Sequence, residues 1–163
     1  MVLGLLTTSL LSIVAFLMTL YLGFAQGRSA VGPHFLWGFF TTFLVTLGQS
    51  MTMFYFIGTG KQVKDLVAND SMAHDFIQRT KRFKARVFPP ALWAMLLTMA
   101  AMIIGGGVHT KVIPTFVHTV LAAGALYFIL VAFWREAKYM IEHSVLMDEI
   151  ERRLQAAPPA PSE

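Results

Sequence analysis

Cysteine is absent from this sequence, and charged residues are scarce. Without a thiol, the chain has no disulfide, no thiolate-bound zinc or iron–sulfur cluster, and no cysteine nucleophile. Charged side chains make up 13% of the 163 residues, whereas roughly 25% is typical of a soluble domain. Hydrophobic residues make up 56%. This composition is typical of a chain that is surrounded mostly by a lipid bilayer.

Acidic residues are missing from the long apolar runs of the sequence. All nine lie outside these runs or at their margins: Asp65, Asp70, Asp75, Glu136, Glu142, Asp148, Glu149, Glu151 and Glu163. Proton-coupled transporters and cation channels commonly use an acidic residue within the bilayer. The distribution therefore disfavours both classes, and it offers no paired carboxylates for hydrolysis. We identify no catalytic residues and expect that the protein is not an enzyme.

Four apolar runs are long enough to be transmembrane helices, because crossing about 30 Å of hydrocarbon takes roughly 20 helical residues. Proline is common at the first position of a helix, so Pro89 and Pro90 predict the start of the third span. The first run lacks the basic region of a signal peptide and is too long for one, which favours a retained helix. The predicted spans are residues 2–24, 35–58, 89–106 and 114–134.

Lysine and arginine are concentrated in two segments, one between the second and third spans and one after the fourth. Only Arg28 and Lys111 lie in the other two loops. By the positive-inside rule, the long loop and both termini are predicted to be cytoplasmic. The same bias explains the net charge of +4 without a nucleic-acid partner.

Two segments outside the predicted spans have apolar residues at helical spacing. Residues 70–87 predict a cytoplasmic amphipathic helix near the membrane surface or packed on its neighbour. Residues 135–155 predict a cytoplasmic extension of the fourth helix, with an apolar seam that packs against the 70–87 helix or against a second copy. The chain is expected to form one domain, 1–155, with a disordered tail at 156–163. The seam consists of Met140, His143, Met147, Ile150 and Leu154.

Three histidines, His34, His109 and His118, are predicted on the outer side of the bilayer. Four-helix membrane bundles can hold b-type haem through histidines on facing helices, and a neutral imidazole suits that role. These residues are therefore candidates for binding haem b or a quinone, whereas zinc or copper is not expected. In the favoured structural interpretation, His34 and His109 are interfacial polar residues and His118 forms a hydrogen bond between helices.

The second span contains the most polar patch inside the predicted membrane region: Thr46, Gln49, Ser50 and Thr52. In lipid, buried hydroxyl and amide groups must find partners. We expect a structural role for this patch, with bonds to Thr98 on the third span, and binding of a ligand headgroup is the alternative.

The segment MFYFIGTGK at residues 53–61, followed by a basic stretch at 79–82 and by Phe88 and Pro89, resembles a group of small uncharacterised bacterial four-helix inner-membrane proteins. The resemblance extends from the second span through the fourth. It implies a multi-pass protein of the bacterial inner membrane and assigns neither an activity nor site residues.

The sequence thus predicts an all-α fold, an integral membrane four-helix bundle with two cytoplasmic helical segments. The first functional hypothesis is a non-enzymatic accessory or assembly subunit of a membrane complex, with self-association as a further expectation. The alternative is a membrane redox subunit that binds b-type haem or quinone through histidines near the outer face. A small-molecule permease is disfavoured, because there is no midplane charge or broken helix around a central site.

Overall fold

The computed structural model describes residues 1–25, 31–68 and 73–156. In these ranges the chain forms four helices and no strand, which confirms the predicted all-α fold. Each helix contains a stretch that is long and apolar enough to cross a membrane. Residues 70–72 of the predicted connecting helix and 157–163 of the predicted tail lie outside the described residues. The helices are α1 (Val2–Ala25), α2 (Val31–Leu66), α3 (Ala73–His109) and α4 (Thr115–Ala156).

The helices are antiparallel to their neighbours and follow one another around the bundle. The hydroxyl groups of Thr19 on α1 and Thr41 on α2 lie 2.9 Å apart, and Arg79 on α3 pairs with Glu149 on α4 at 2.6 Å. The α3–α4 interface is the most extensive, whereas α4 makes little contact with α1 and least with α2. The helices α2 and α4 therefore lie diagonally across the bundle.

The two ends of the bundle differ in composition. We call one the basic end, because it holds eleven of the thirteen lysines and arginines; there α2 and α4 end and α1 and α3 begin. The opposite end, where α2 and α4 begin, is the histidine end. It carries His34, His109 and His118.

Pro89 and Pro90 lie inside α3, which is one continuous helix. The sequence instead predicted that the third span begins at this pair, after a separate helix over 70–87. Proline has no N–H group, so Pro90 leaves the carbonyl oxygen of Arg86 without its helical donor. The guanidinium of Arg135 on α4 donates to this oxygen at 3.0 Å. The helix can continue through the prolines because its neighbour supplies one of the missing donors.

Two groups of buried apolar side chains stabilise the bundle. The mid-bundle core fills the centre of the molecule and is rich in alanine, which allows close approach of helices in lipid. It consists of Ile13, Phe16, Val45, Ala94, Ala122, Ala125 and Ile129. The basic-end core is larger and consists of Leu5, Tyr55, Phe56, Val63, Val67, Phe76, Phe83, Val87, Met140, Leu146 and Ile150.

The predicted seam of α4 packs mainly within the chain. Met140, His143 and Ile150 are buried, and Met147 is partly buried against the basic-end core. Leu154 is 46% exposed. The seam contacts apolar residues of α2 and α3 in the basic-end core, so four of its five residues serve the fold of this chain.

Candidate functional site

His34 and His118 meet inside the histidine end. Their ring centroids are 6.2 Å apart and their planes are inclined by 84°. Each histidine is the fourth residue of its helix, and α2 and α4 begin at the same end of the bundle. The sequence predicted that the second span begins at residue 35, next to His34. The helix itself begins at Val31, so His34 lies in its first turn, as His118 does in α4.

Both rings are fixed in the same way by the preceding helix. The Nδ1 atom of His34 lies 3.0 Å from the carbonyl oxygen of Thr19, and the Nδ1 atom of His118 lies 3.0 Å from that of Ala101. A carbonyl oxygen only accepts, so each Nδ1 donates its hydrogen. In the neutral imidazole the Nε2 atom then carries a lone pair that can bind a metal or accept a proton.

A glycine lies beside each ring. A Cβ atom on Gly23 would lie 2.9 Å from Cε1 of His34, and a Cβ atom on Gly105 would lie 3.2 Å from Cε1 of His118. Gly23 follows Thr19 by four positions, and Gly105 follows Ala101 by four. Each glycine therefore lies one helical turn after the residue whose carbonyl oxygen accepts from the histidine. The two helical hairpins therefore share one arrangement of carbonyl, glycine and histidine. The spacing from glycine to histidine differs between the hairpins, so the shared arrangement does not appear as a repeat in the sequence.

His109, the third predicted histidine, is the last residue of α3 and is exposed. In the three described ranges, no group of three or more histidine, aspartate or glutamate side chains could hold a metal ion. The structure thus brings together two of the three candidates.

Fully buried apolar side chains are few at the histidine end. Beyond the level of Thr41, Ala101 and Ala122, the fully buried apolar residues of the described chain are reduced to one, Leu22. The two imidazoles are half-buried, and so are the apolar side chains at the same end: Leu20, Met102, Ile104, Ile113, Val117 and Leu121. The interior of this end is therefore less enclosed than the mid-bundle core.

The predicted polar patch of α2 divides into two parts. Thr46 and Ser50 are half-buried, and the Ser50 hydroxyl donates to the sulfur of Met95 at 3.7 Å. Gln49 and Thr52 are completely enclosed. The expected partner Thr98 donates instead to the carbonyl oxygen of Ala94 in its own helix.

Glu136 is a buried carboxyl group that the sequence analysis placed at the margin of the fourth span. Its side chain is 0% exposed, and its Oε2 atom accepts a hydrogen bond of 2.7 Å from the Ser9 hydroxyl. Gln49 also approaches the carboxyl group. Ser9 and Gln49 both lie within predicted spans, so the interior of the bundle does contain an acidic residue. The regular spacing of Ala125, Ile129, Ala132 and Met140 on the buried face of α4 could have identified it.

Four buried side-chain atoms of the described residues have no hydrogen-bond partner: Gln49 Oε1, Thr52 Oγ1, Glu136 Oε1 and His143 Nε2. All of them lie on α2 and α4, between the mid-bundle core and the basic end. Next to them, the Tyr55 hydroxyl and His143 Nδ1 share a hydrogen bond of 3.3 Å. We call this set the polar column, and its members are Ser9, Gln49, Thr52, Tyr55, Glu136 and His143.

The two sites must be interpreted from their own chemistry. Comparisons with protein-family models, with curated proteins and with solved structures found no match to this chain. The resemblance to a bacterial inner-membrane family therefore stays a prediction.

Proposed function

We propose that this protein is a membrane redox subunit that holds a b-type haem between His34 and His118. The observation that carries the proposal is the distance of 6.2 Å between the two ring centroids. Two imidazoles that share one metal ion have centroids about 6 Å apart, from two metal–nitrogen bonds of about 2 Å and about 1 Å from each nitrogen to its ring centre. The centroid distance in the protein is close to this sum.

The number of ligands favours haem over a simple metal ion. Structural zinc sites use four protein ligands and catalytic zinc sites use three. The described residues offer two histidines at this place and no third ligand of the same kind. A haem would bring four porphyrin nitrogens to its iron, so His34 and His118 would suffice as its protein ligands.

The hydrogen bonds of the two rings also favour a metal. Histidines that bind metals almost always donate their other ring N–H to a carbonyl, carboxylate or water, which fixes the tautomer and orients the ring. His34 and His118 both donate from Nδ1 to a helix carbonyl. A quinone carbonyl would require a donor, whereas the free Nε2 atoms are acceptors. The same geometry therefore supports haem better than quinone.

A macrocycle at this end would have to displace half-buried side chains rather than a fully buried core. Leu22 is the single fully buried apolar side chain that the described structure has beyond the mid-bundle level, and Gly23 and Gly105 keep the backbone close to the rings. The contact between α1 and α4 is also limited, so these two helices could separate to admit the edge of a porphyrin. With both histidines bound, the iron would be left without a site for a further ligand, which suits electron transfer.

The proposed setting is the bacterial inner membrane, with the basic end in the cytoplasm. The distribution of lysine and arginine supports this orientation. An electron carrier needs a donor and an acceptor, so we propose that it works as a subunit of a larger membrane complex. Reporter fusions after residue 70 and after residue 158 should both lie in the cytoplasm, and fusions on opposite sides would contradict the topology.

The test is haem binding by the detergent-purified protein. Loaded with haemin, the wild type should give the reduced-minus-oxidised visible spectrum of a six-coordinate b-type haem. His34→Ala and His118→Ala should each lose this spectrum while retaining helix content and a monodisperse elution profile. The control is His109→Ala, which removes an exposed histidine from the same end and should leave the spectrum unchanged. Equal spectra in all three variants would overturn the proposal.

A further inference from the structure

We propose that Glu136 is a proton-exchange site that is reached from the basic end through Tyr55 and His143. The proposal is independent of haem binding, because Glu136 lies 18 residues after His118, or about 27 Å along α4. It rests on one observation. All four unpartnered buried atoms of the described residues belong to the polar column. Buried polar groups normally have a partner, so four neighbouring exceptions indicate a shared function.

The unpartnered atoms around the carboxyl group lack a hydrogen. Glu136 Oε1 and Gln49 Oε1 have no donor, although the two side chains lie next to each other. Ser9 donates to the carboxyl group, and Gln49 lies close enough that its amide N–H can do the same when the group is ionised. In the proposed protonated state an O–H bond forms at Oε1, the proton comes from water at the basic end, and the carboxyl group becomes neutral. Oε1 is then a donor, and the amide oxygen of Gln49 is the neighbouring acceptor.

No cation compensates the carboxylate in the part of the chain that the structure describes. The side chains that face it are Ser9 on α1 and Gln49 on α2, and no ion pair includes Glu136. The neighbouring Arg135 directs its guanidinium to the carbonyl of Arg86 on α3 instead. A buried carboxylate without a positive partner is costly, and gaining a proton removes that cost.

Groups that can both donate and accept a hydrogen connect Glu136 with the basic end. Thr52 lies one helical turn from Gln49 and one turn from Tyr55 on the same face of α2. Tyr55 is bonded to His143 on α4. A cleft of about 400 Å³ at the basic end is lined by Tyr55, Thr59 and Gln62 and by the apolar side chains of Met1, Leu5, Met51 and Phe54. The proposed route enters along the polar wall that Thr59 and Gln62 form and reaches the Tyr55 hydroxyl from there.

The column does not continue to the histidine end. Ile13, Phe16, Val45 and Ile129 are all buried in the mid-bundle core, which separates Glu136 from His34 and His118. The buried hydroxyl groups at this level belong to Ser12, Thr41 and Thr98, and they bond to a carbonyl of their own helix or to Thr19. In the proposal, the proton therefore enters and leaves from the basic end. This separates the site from a channel or a proton pump, both of which need access from two sides.

Infrared spectroscopy of the detergent-purified full chain tests the proposal. Between alkaline and acidic buffer, the wild type should gain the carbonyl band of a protonated carboxylic acid in an apolar environment, and this band should shift in deuterated buffer. Glu136→Gln should lose the band, and Glu136→Asp should restore it at a shifted frequency. The control Glu142→Gln removes a carboxylate whose side chain is 44% exposed and which lies 3.9 Å from Lys138, and it should leave the band in place.

The route is tested by the rate of hydrogen–deuterium exchange at the same band. Tyr55→Phe removes the hydroxyl at the cleft and should slow the exchange severalfold. A band that persists in Glu136→Gln would overturn the proposal, and so would a band that does not shift in deuterated buffer. Stabilisation of the wild type by Na⁺, lost in Glu136→Gln and without a carboxylic acid band, would contradict a proton and identify a sodium ion as the ligand.

Discussion

The two ends of the bundle are incomplete in opposite ways. At the histidine end each paired ring is held by a hydrogen bond from Nδ1 to a helix carbonyl, but Leu22 is the one fully buried apolar side chain of the described residues there. Towards the basic end the apolar core is extensive, but four buried polar atoms of the described residues have no partner. The histidine end thus has little fully buried apolar core, and the polar column contains acceptor atoms without a donor. We infer that the first binds a large planar cofactor and the second binds a proton.

The largest effect is expected from charges in the basic-end core. Met147→Asp together with Ile150→Asp places two carboxylates against an apolar core in which Ile150 is 1% exposed. Burying an unpaired charge is among the most destabilising changes, so we expect a loss of at least about 4 kcal/mol. Thermal unfolding in detergent measures it. The control Ile141→Asp alters a residue that is 64% exposed, and equal destabilisation there would show that the seam is not the buried face.

The next effect concerns the glycines of the histidine end. Substitution of Gly23 should lower haem affinity without lowering the thermal stability of the haem-free protein. Alanine at Gly23 brings a methyl group within 2.9 Å of the His34 ring, so haem affinity should fall. Alanine also favours a helix over glycine by about 1 kcal/mol, so the thermal stability of the haem-free protein should stay equal or rise. Gly106→Ala is the control, because its Cβ atom would meet nothing within 4 Å. Equal haem affinity in both variants would contradict the proposed ring position.

A smaller effect is expected where Arg135 supports the two prolines of α3. Arg135→Ala leaves the Arg86 carbonyl without a donor and should cost about 1 kcal/mol of unfolding free energy. In a Pro90→Ala background the helix regains its own N–H donor, so the same substitution should cost less. A double-mutant cycle measures the difference. Additive effects would show that the guanidinium does not compensate for proline.

The smallest effect is expected from the ion pair between Arg79 and Glu149. It is short, at 2.6 Å, but its side chains are 31% and 41% exposed. Exposed pairs typically contribute less than about 1 kcal/mol and weaken with salt. Arg79→Ala should therefore lower the unfolding temperature slightly at low salt and hardly at high salt. A large decrease that does not depend on salt would show that Arg79 stabilises the bundle by packing.

The sequence predicted the presence of the helices better than it predicted the contacts between them. Hydropathy and length identify all four helices, because a lipid-crossing helix must be apolar over its whole length. The preference of proline for the first position of a helix assigned a helix start to Pro89 and Pro90. It failed there because a proline inside a helix depends on a donor from elsewhere, and Arg135 is 45 residues away in the chain.

The candidate sites depend on contacts that a single sequence does not encode locally. His34 and His118 were identified as candidates from their residue type, but their distance depends on where α2 begins and on which helices lie diagonally. Glu136 follows the apolar run of the fourth span by two residues, so hydropathy assigned it to the margin. Only the continuation of the buried face of α4 towards His143 places it in the interior.

Electron paramagnetic resonance of the oxidised, haemin-loaded protein tests the central claim most directly. The ring planes of His34 and His118 are inclined by 84°, so the account predicts low-spin ferric iron with the strongly anisotropic spectrum of two nearly perpendicular axial imidazoles. High-spin ferric iron, or haemin that separates from the protein on gel filtration, would contradict it.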